Sequence, residues 1–252
     1  MSRNTPIPHL RDEQKARIRS WLIQEDATLL AFDKPAGVPV QTRGNRGESL
    51  DHLLWTFAKS NGKRPRLVHR IDAETSGVLL VARTQPASAH LSESFAERRA
   101  SKTYLALARG DLPVNDEGTI EAAITRRPGE RGGEIAKVVD AEEAGAKPAR
   151  TAWQVLARQG DTALMELSPE TGRMHQIRVH LAHIGCPILG DRIYGAGRLS
   201  AERCMLHASR LVIPHPGGGT LDICAPLPAD FIARAEAAGL GAVPLAQAHA
   251  SS

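Results

Sequence analysis

Cysteine is scarce in this sequence. The 252 residues hold three, Cys186, Cys204 and Cys224, odd in number, widely spaced and without a CxxC pair. That argues against a disulfide framework or a zinc knuckle and fits a reducing cytoplasm. Long hydrophobic runs are missing too. The apolar stretch Gly77 to Ala82 is far too short to span a bilayer, and MSRNTPIPHLRDEQKARIRSW at the start shows no apolar core before a small-residue cleavage site. No Gly-rich phosphate loop of the P-loop or dinucleotide type occurs, and no Gly-x-Ser-x-Gly nucleophile turn. Gly217-Gly218-Gly219 reads as a hairpin turn, and there is no internal repeat.

What is present is ordinary for a folded chain long enough for one large domain or two small ones: 42% hydrophobic and 24% charged residues. The net charge of +4 describes, by itself, a solvated surface. The charge is unevenly spread, however. Lys63 to Arg109 carries nine basic residues against four acids, an excess that admits a polyanionic partner.

Periodicity and punctuation predict a charged helix over 11–22 and a strand over 27–33, stopped by Lys34-Pro-Ala-Gly-Val-Pro-Val40. Ser49 is a good N-cap for a helix carrying Leu50, Leu53, Leu54 and Phe57 on one face, with Gly62 to end it. A second helix is predicted over 86–99 and a strand over 102–108. Residues 126–148, rich in Gly and charge, read as a surface connection with one short strand, 135–139. Thr151–Arg158 and Thr162–Ser168 form a hairpin around Gln159-Gly160-Asp161. A third helix follows over 173–184, then two short strands within 204–225 joined by His215–Gly219. Residues after Gly239 are Ala-rich and expected to be disordered. Strands in hairpins mixed with separate helices predict an α+β fold, not a doubly wound sheet.

Two polar clusters interrupt this pattern. In Leu67-Val-His-Arg-Ile-Asp72, the side chains of Arg70 and Asp72 share one face of an extended segment. By itself that is an ordinary ion pair at a strand end. The second cluster, Thr171-Gly-Arg-Met-His-Gln-Ile-Arg-Val-His180, has no acid at all. His175 and Arg178 share one helix face, and Arg173, Gln176 and His180 an adjacent one. Cations near a helix N-terminus oppose its dipole, so an anionic neighbour is called for: a carboxylate of the protein, a phosphate, or both. His180 and His183, three apart, invite a metal reading. No Cys or carboxylate lies nearby at ligand spacing and Arg178 would repel a cation, so packing or RNA contact is the better expectation.

At these residues the sequence resembles the RluA-type family of pseudouridine synthases. The blocks are Lys34-Pro-Ala-Gly37, His69-Arg-Ile-Asp72 with Thr75-Ser-Gly77, Lys102-Thr-Tyr104, Thr171 to His180, Pro187-Ile-Leu-Gly-Asp191 and Leu206-His-Ala208. They stand in the family's order over roughly residues 25–228. The resemblance implies an α+β fold with a central, largely antiparallel mixed sheet, flanking helices and an RNA-binding cleft. It implies Asp72 as the catalytic carboxylate, Arg178 as its ion-pair partner and Tyr104 stacking on the target base. Arg70 would fill the space left by the flipped nucleotide, and His69, Arg173, His175 and Gln176 would contact RNA.

By the same resemblance, 25–228 is the catalytic domain, with an N-terminal extension over 1–24 and a C-terminal helix and tail over 229–252. Two departures stand out. Too few residues precede Asp33 for the S4-type RNA-binding domain of many relatives, and Met174 stands where relatives usually have Thr or Ser. The implied activity is isomerisation of uridine in rRNA or tRNA by a cytoplasmic monomer. Nothing is oxidised and no group is donated, so no cofactor and no metal are expected. The rivals are a non-catalytic RNA-binding protein on the same fold and a metal-dependent nucleic-acid hydrolase.

Overall fold

The computed structural model describes residues 8–42, 48–129, 132–195 and 201–241. Residues 1–7 of the N-terminal extension and the tail 242–252, expected to be disordered, lie outside the described residues. The first elements are α1 (Asp12–Ser20), β1 (Leu22–Glu25), β2 (Leu29–Lys34), α2 (Leu50–Leu53), β3 (Arg66–Leu67), β4 (Ser76–Ala82) and α3 (Gln85–Ala96). Then come β5 (Ser101–Arg109), β6 (Glu117–Glu121), β7 (Ala123–Pro128), β8 (Glu134–Val139), β9 (Arg150–Gln159) and β10 (Thr162–Pro169). The chain continues with α4 (Gln176–His183), β11 (Leu206–Pro214), β12 (Thr220–Cys224) and α5 (Ala229–Ala237). This is an α+β protein with antiparallel strand pairings, as the sequence predicts.

By contact density the chain divides into two compact units, Met1–Ala100 with Val212–Ala225, and Ser101–Leu211 with Pro226–Ser252. In the first, β2 pairs with β1 and with β4, and β4 also takes β3. All seven residues of β4, SGVLLVA, are buried. That is the expected state of a continuous apolar run covered on both faces. Ser49 caps α2 by accepting a hydrogen bond from the His52 amide at 3.3 Å. The chain then tightens into a 3-10 turn over Leu54–Phe57, where Phe57 meets Phe32 edge-on at 5.7 Å. Gly62 does not end this helix; it sits in the following turn at φ 75°. β12 returns on β11, and the connecting turn is pinned by His215. Its Nδ1 accepts from the Gly217 amide at 3.0 Å, so its Nε2 donates to Asp26 at 2.8 Å.

The second unit orders its strands β5-β10-β9-β6. The β9–β10 hairpin turns at Gly160 as expected. Leu105, Leu107, Leu164, Leu167, Leu181 and Phe231 form the centre of its core. One expectation is corrected here. The 126–148 region is not a connection with one strand: β7 and β8 pair with each other as a separate two-stranded sheet, with Ile124 opposite Val138. The inward side chains Ile124 and Ala136 bury against Val179 of α4, which gives this charged, Gly-rich segment a reason to order.

Candidate active site

Asp72 is half-buried in the turn that leads into β4, and its carbonyl accepts from the Thr75 amide at 3.1 Å. The turn is tied to the loop after β2 by Lys34, which is completely buried. The Lys34 Nζ donates to the carbonyls of Pro35 (2.8 Å), Val38 (2.9 Å) and Ala73 (3.0 Å). Three N–H bonds match its three protons, the condition for burying an ammonium at tolerable cost. The Gly37 amide adds a second link to the Ala73 carbonyl at 2.8 Å, from a left-handed backbone at φ 84° that suits glycine. Beside Lys34, burial raises the Asp33 carboxyl to about 6, and the neighbouring ammonium only partly opposes it.

His69, expected at the RNA, is engaged within the protein. Its Nε2 accepts from the Leu80 amide at 2.8 Å and its ring stacks on Phe95 at 4.5 Å. It thus continues the hydrogen bonding of β4 where the two-residue β3 has ended. Arg70, the next residue, is exposed.

In the second unit the acid-free cluster opens α4. His175 precedes the helix in the left-handed conformation, φ 52° and ψ 23°, without a side-chain cap. The approach to the helix is instead held by its first residue, Gln176, only 4% exposed. Its Oε1 accepts from the Thr171 hydroxyl (2.6 Å) and the Arg173 amide (3.0 Å). Its Nε2 donates to the Arg150 carbonyl (2.9 Å) and to Thr151 Oγ1 (3.0 Å). All four hydrogen-bonding positions of the amide are occupied, so the structure gives Gln176 a scaffolding role in place of the RNA contact expected of it. Arg173, half-buried, reaches the Pro148 carbonyl through Nε at 3.1 Å.

His180 is also enclosed. Its Nε2 donates to the Ala122 carbonyl at 3.1 Å, so Nδ1 accepts from the Thr151 hydroxyl at 2.9 Å. Burial pushes its pKa below the usual imidazole range. His183 is exposed, and no group of metal-ligating side chains occurs among the described residues.

Arg178 is 3% exposed and forms a side-on pair with Asp191, itself 1% exposed: Nε to Oδ2 at 2.7 Å and Nη2 to Oδ1 at 2.9 Å. Asp191 Oδ1 also accepts from the amides of Ile193 (2.9 Å) and Tyr194 (3.1 Å). Burial alone would raise the Asp191 carboxyl. The hydrogen bonds and charge of Arg178, with the two amides, outweigh it and hold the carboxyl below its usual range. The preceding Gly190 has φ 74°, and a Cβ there would lie 1.8 Å from the Arg203 carbonyl oxygen, so no other residue fits.

Tyr194 completes the bracket. Its ring lies 5.3 Å from the Arg178 guanidinium carbon, and its hydroxyl accepts from the Ala136 amide at 2.8 Å and meets His175 Nδ1 at 2.9 Å. The side-on pair fixes the plane and direction of the Arg178 guanidinium.

Tyr104 is half-buried on β5 opposite Leu167 and packs against the core of the second unit. Met174, the departure from the family pattern, packs with Ile124, Ala136 and Val179. The anionic neighbour demanded by the acid-free helix is, in part, Asp191. Lys34 and Asp191 lie within the motif blocks, where the sequence alone does not disclose their roles, and Tyr194 lies outside them. The signal available for Asp191 was that a buried Arg needs a carboxylate. Arg178, His175, Gln176, Arg173 and Tyr104 belong to the second unit; Asp72, Arg70 and His69 belong to the first.

A model of the RNA pseudouridylate synthase family matches residues 28–183. The chain is 37% identical over 196 residues to ribosomal large subunit pseudouridine synthase C of Rickettsia bellii. That match covers 77% of this chain and 63% of the Rickettsia protein, so the chain spans less than two thirds of that relative. It is 37% identical over 208 residues to an uncharacterized RNA pseudouridine synthase of Zymomonas mobilis, covering 82% of this chain and 93% of that protein. The solved structure of human RNA pseudouridylate synthase domain containing 4 is similar with a TM-score of 0.77 at 26% identity. The similarity covers 91% of this chain and 98% of that one.

Proposed function

The chain belongs to the RNA pseudouridylate synthase family, and we propose that it isomerises specific uridines of RNA to pseudouridine. The observation that carries this is the family match over 28–183, which encloses Asp72, Tyr104 and Arg178. Relatives named for the large ribosomal subunit make ribosomal RNA the substrate to test first, with transfer RNA the alternative. The proposal includes a cytoplasmic monomer working without cofactor or metal.

In the reaction the bond from C1′ to N1 breaks, the uracil turns, and a bond from C1′ to C5 forms. The C5 proton leaves and N1 gains one, so atoms and electrons balance within one nucleotide. The step asks for an ionised carboxylate at the sugar or base. Desolvation works against that charge, and a planar guanidinium restores it. We assign these parts to Asp72 and Arg178. Asp72 has three routes open: attack at C1′, attack at C6, or removal of a ribose proton. The bracket of Asp191 and Tyr194 supports this reading, because a guanidinium fixed in advance needs no reorganisation during the reaction.

The target base must leave its stack, which costs a few kcal/mol. Tyr104 would recover about 1–3 kcal/mol by stacking on it. Arg70 would occupy the vacated space.

Pseudouridine formation in ribosomal and transfer RNA, read by chromatographic separation of the two isomeric nucleosides after digestion, tests the proposal. Asp72→Asn is expected to abolish turnover while melting like the wild type. Tyr104→Phe should keep turnover and Tyr104→Ala lose it. Wild-type rates in Asp72→Asn would sink the assignment, and RNA binding without isomerisation by the wild type would favour the non-catalytic rival. Turnover is expected to persist in excess EDTA.

A further inference from the structure

We propose that the segment from Lys59 to Arg70 is a docking strip for the RNA backbone, with the concavity beside it seating a phosphodiester. This rests on the RNA reading above and adds where the strand runs outside the reacting pocket. Between Asp51 and Asp72 the chain has no Asp or Glu, yet it carries Lys59, Lys63, Arg64, Arg66 and Arg70. Asp51 is consumed by Arg64 in a fork, Nη1 to Oδ1 at 2.7 Å and Nη2 to Oδ2 at 3.0 Å. Arg64 also lies over the Trp55 ring at 5.4 Å. One cation of the stretch is therefore neutralised and immobilised.

The others are not. Among the described residues, no hydrogen bond or ion pair engages the side chains of Lys59, Lys63, Arg66 or Arg70, and all four are exposed. This contrasts with Arg83 and Arg99 in the same unit, and with Arg109, Arg150, Arg158 and Arg203 in the other, each salt-bridged to a carboxylate. Four like charges on a short stretch repel one another, and an anionic partner relieves that repulsion.

The shape fits the charge. A concavity of about 420 Å³ is lined by Gln41, Asp51, Lys63, Arg64, Arg66 and Leu67. That volume is on the scale of small-ligand sites. Its Arg64–Asp51 wall is fixed, while Lys63 and Arg66 present their charges without an internal partner. From Arg66 to Arg70 the backbone is extended or irregular and reaches up to about 13 Å, the scale of several backbone phosphates rather than one. It then runs directly into the Asp72 turn, which favours the RNA strand over an acidic peptide as occupant. Contacts of this kind position a strand without selecting its sequence.

The test is binding of a fluorescein-labelled oligouridylate to the full chain across a potassium chloride series, comparing wild type with the Lys63→Ala/Arg66→Ala double variant. At about 0.7 per phosphate on a single strand, losing two contacts should lower the slope of log Kd against log salt by about 1.4. The same loss weakens binding roughly 10- to 30-fold near 0.1 M salt. Arg109→Ala, an exposed and ion-paired cation elsewhere, should change neither. An unchanged slope overturns the proposal even if affinity drops, and so does an equal loss in Arg109→Ala. If the wild type makes no pseudouridine but the slope change is present, the isomerase reading fails and the docking strip stands.

Discussion

Asp33 keeps its proton up to about pH 6 in the folded protein, against 3.8 for the ordinary carboxyl, because its strand buries it without a hydrogen-bonding partner among the described residues. Protons are therefore taken up on folding between those two values. Below about pH 4 both states are protonated and burying the carboxyl carries no charge penalty; stability falls as pH rises from there through about 6, where the folded state must hold the ionised group. Asp33→Asn is expected to raise the melting temperature at pH 8 by about 2–4 °C and to leave it unchanged at pH 4; equal effects at both values would refute this origin. Asp191 has the opposite sign, a depressed carboxyl whose stabilisation is present above its unfolded value and lost as acid protonates it. Asp191→Asn leaves Arg178 buried beside a neutral amide, and urea titration should show a loss of about 3–5 kcal/mol. A loss under 1 kcal/mol would mean that the pair is not needed to hold the guanidinium. Neither residue declares its role in sequence. The motif blocks single out Asp72 and Arg178 as candidates, whereas the Asp191 bracket exists only once the 191–194 turn has folded against α4.

Elements that carry their own signal were the readable ones. β4 shows an unbroken apolar run, α2 has a Ser cap that does accept an amide, and the β9–β10 turn is marked by Gly160. β1 and β6 were missed because their apolar content is low: LIQE is largely exposed and EGTIE buries a single residue. Their strand character comes from the partner they pair with, a tertiary effect. The start of α4 was placed near 173 rather than at Gln176 for a related reason. The N-cap position is His175, which makes no side-chain cap bond, and the helix start is anchored by Gln176 reaching back to Thr171 and Arg173 and across to β9, so no usual cap residue marks the boundary. Replacing that glutamine with the similarly sized, apolar Gln176→Leu strands four polar groups at once. A loss of at least about 1–3 kcal/mol in chemical denaturation is expected. The α4 amides should exchange faster while those of β4 stay protected. Wild-type stability would show that water substitutes for the amide.

At the scale of the whole chain, the sequence conveyed the class of fold and the order of its motif blocks but not its partition. The first compact unit is discontinuous: it needs Val212–Ala225, which the chain reaches only after the entire Ser101–Leu211 part of the second unit. The returning hairpin is fastened by His215 to Asp26 and by the Pro214 carbonyl to His90 at 3.3 Å. A variant with residues 212–225 replaced by a short Gly-Ser linker keeps Asp72, Tyr104, Arg178 and the α5 residues of the second core, yet lacks that segment. It is expected to be cleaved by trypsin within residues 8–100 far sooner than the unaltered chain, while the β9–β10 region resists; matching digestion patterns would contradict this. During synthesis on the ribosome the consequence is one of timing. The segment bearing the Asp72 turn emerges early but must wait for residues made much later, so the acid is shaped only after the whole Ser101–Leu211 stretch has been translated.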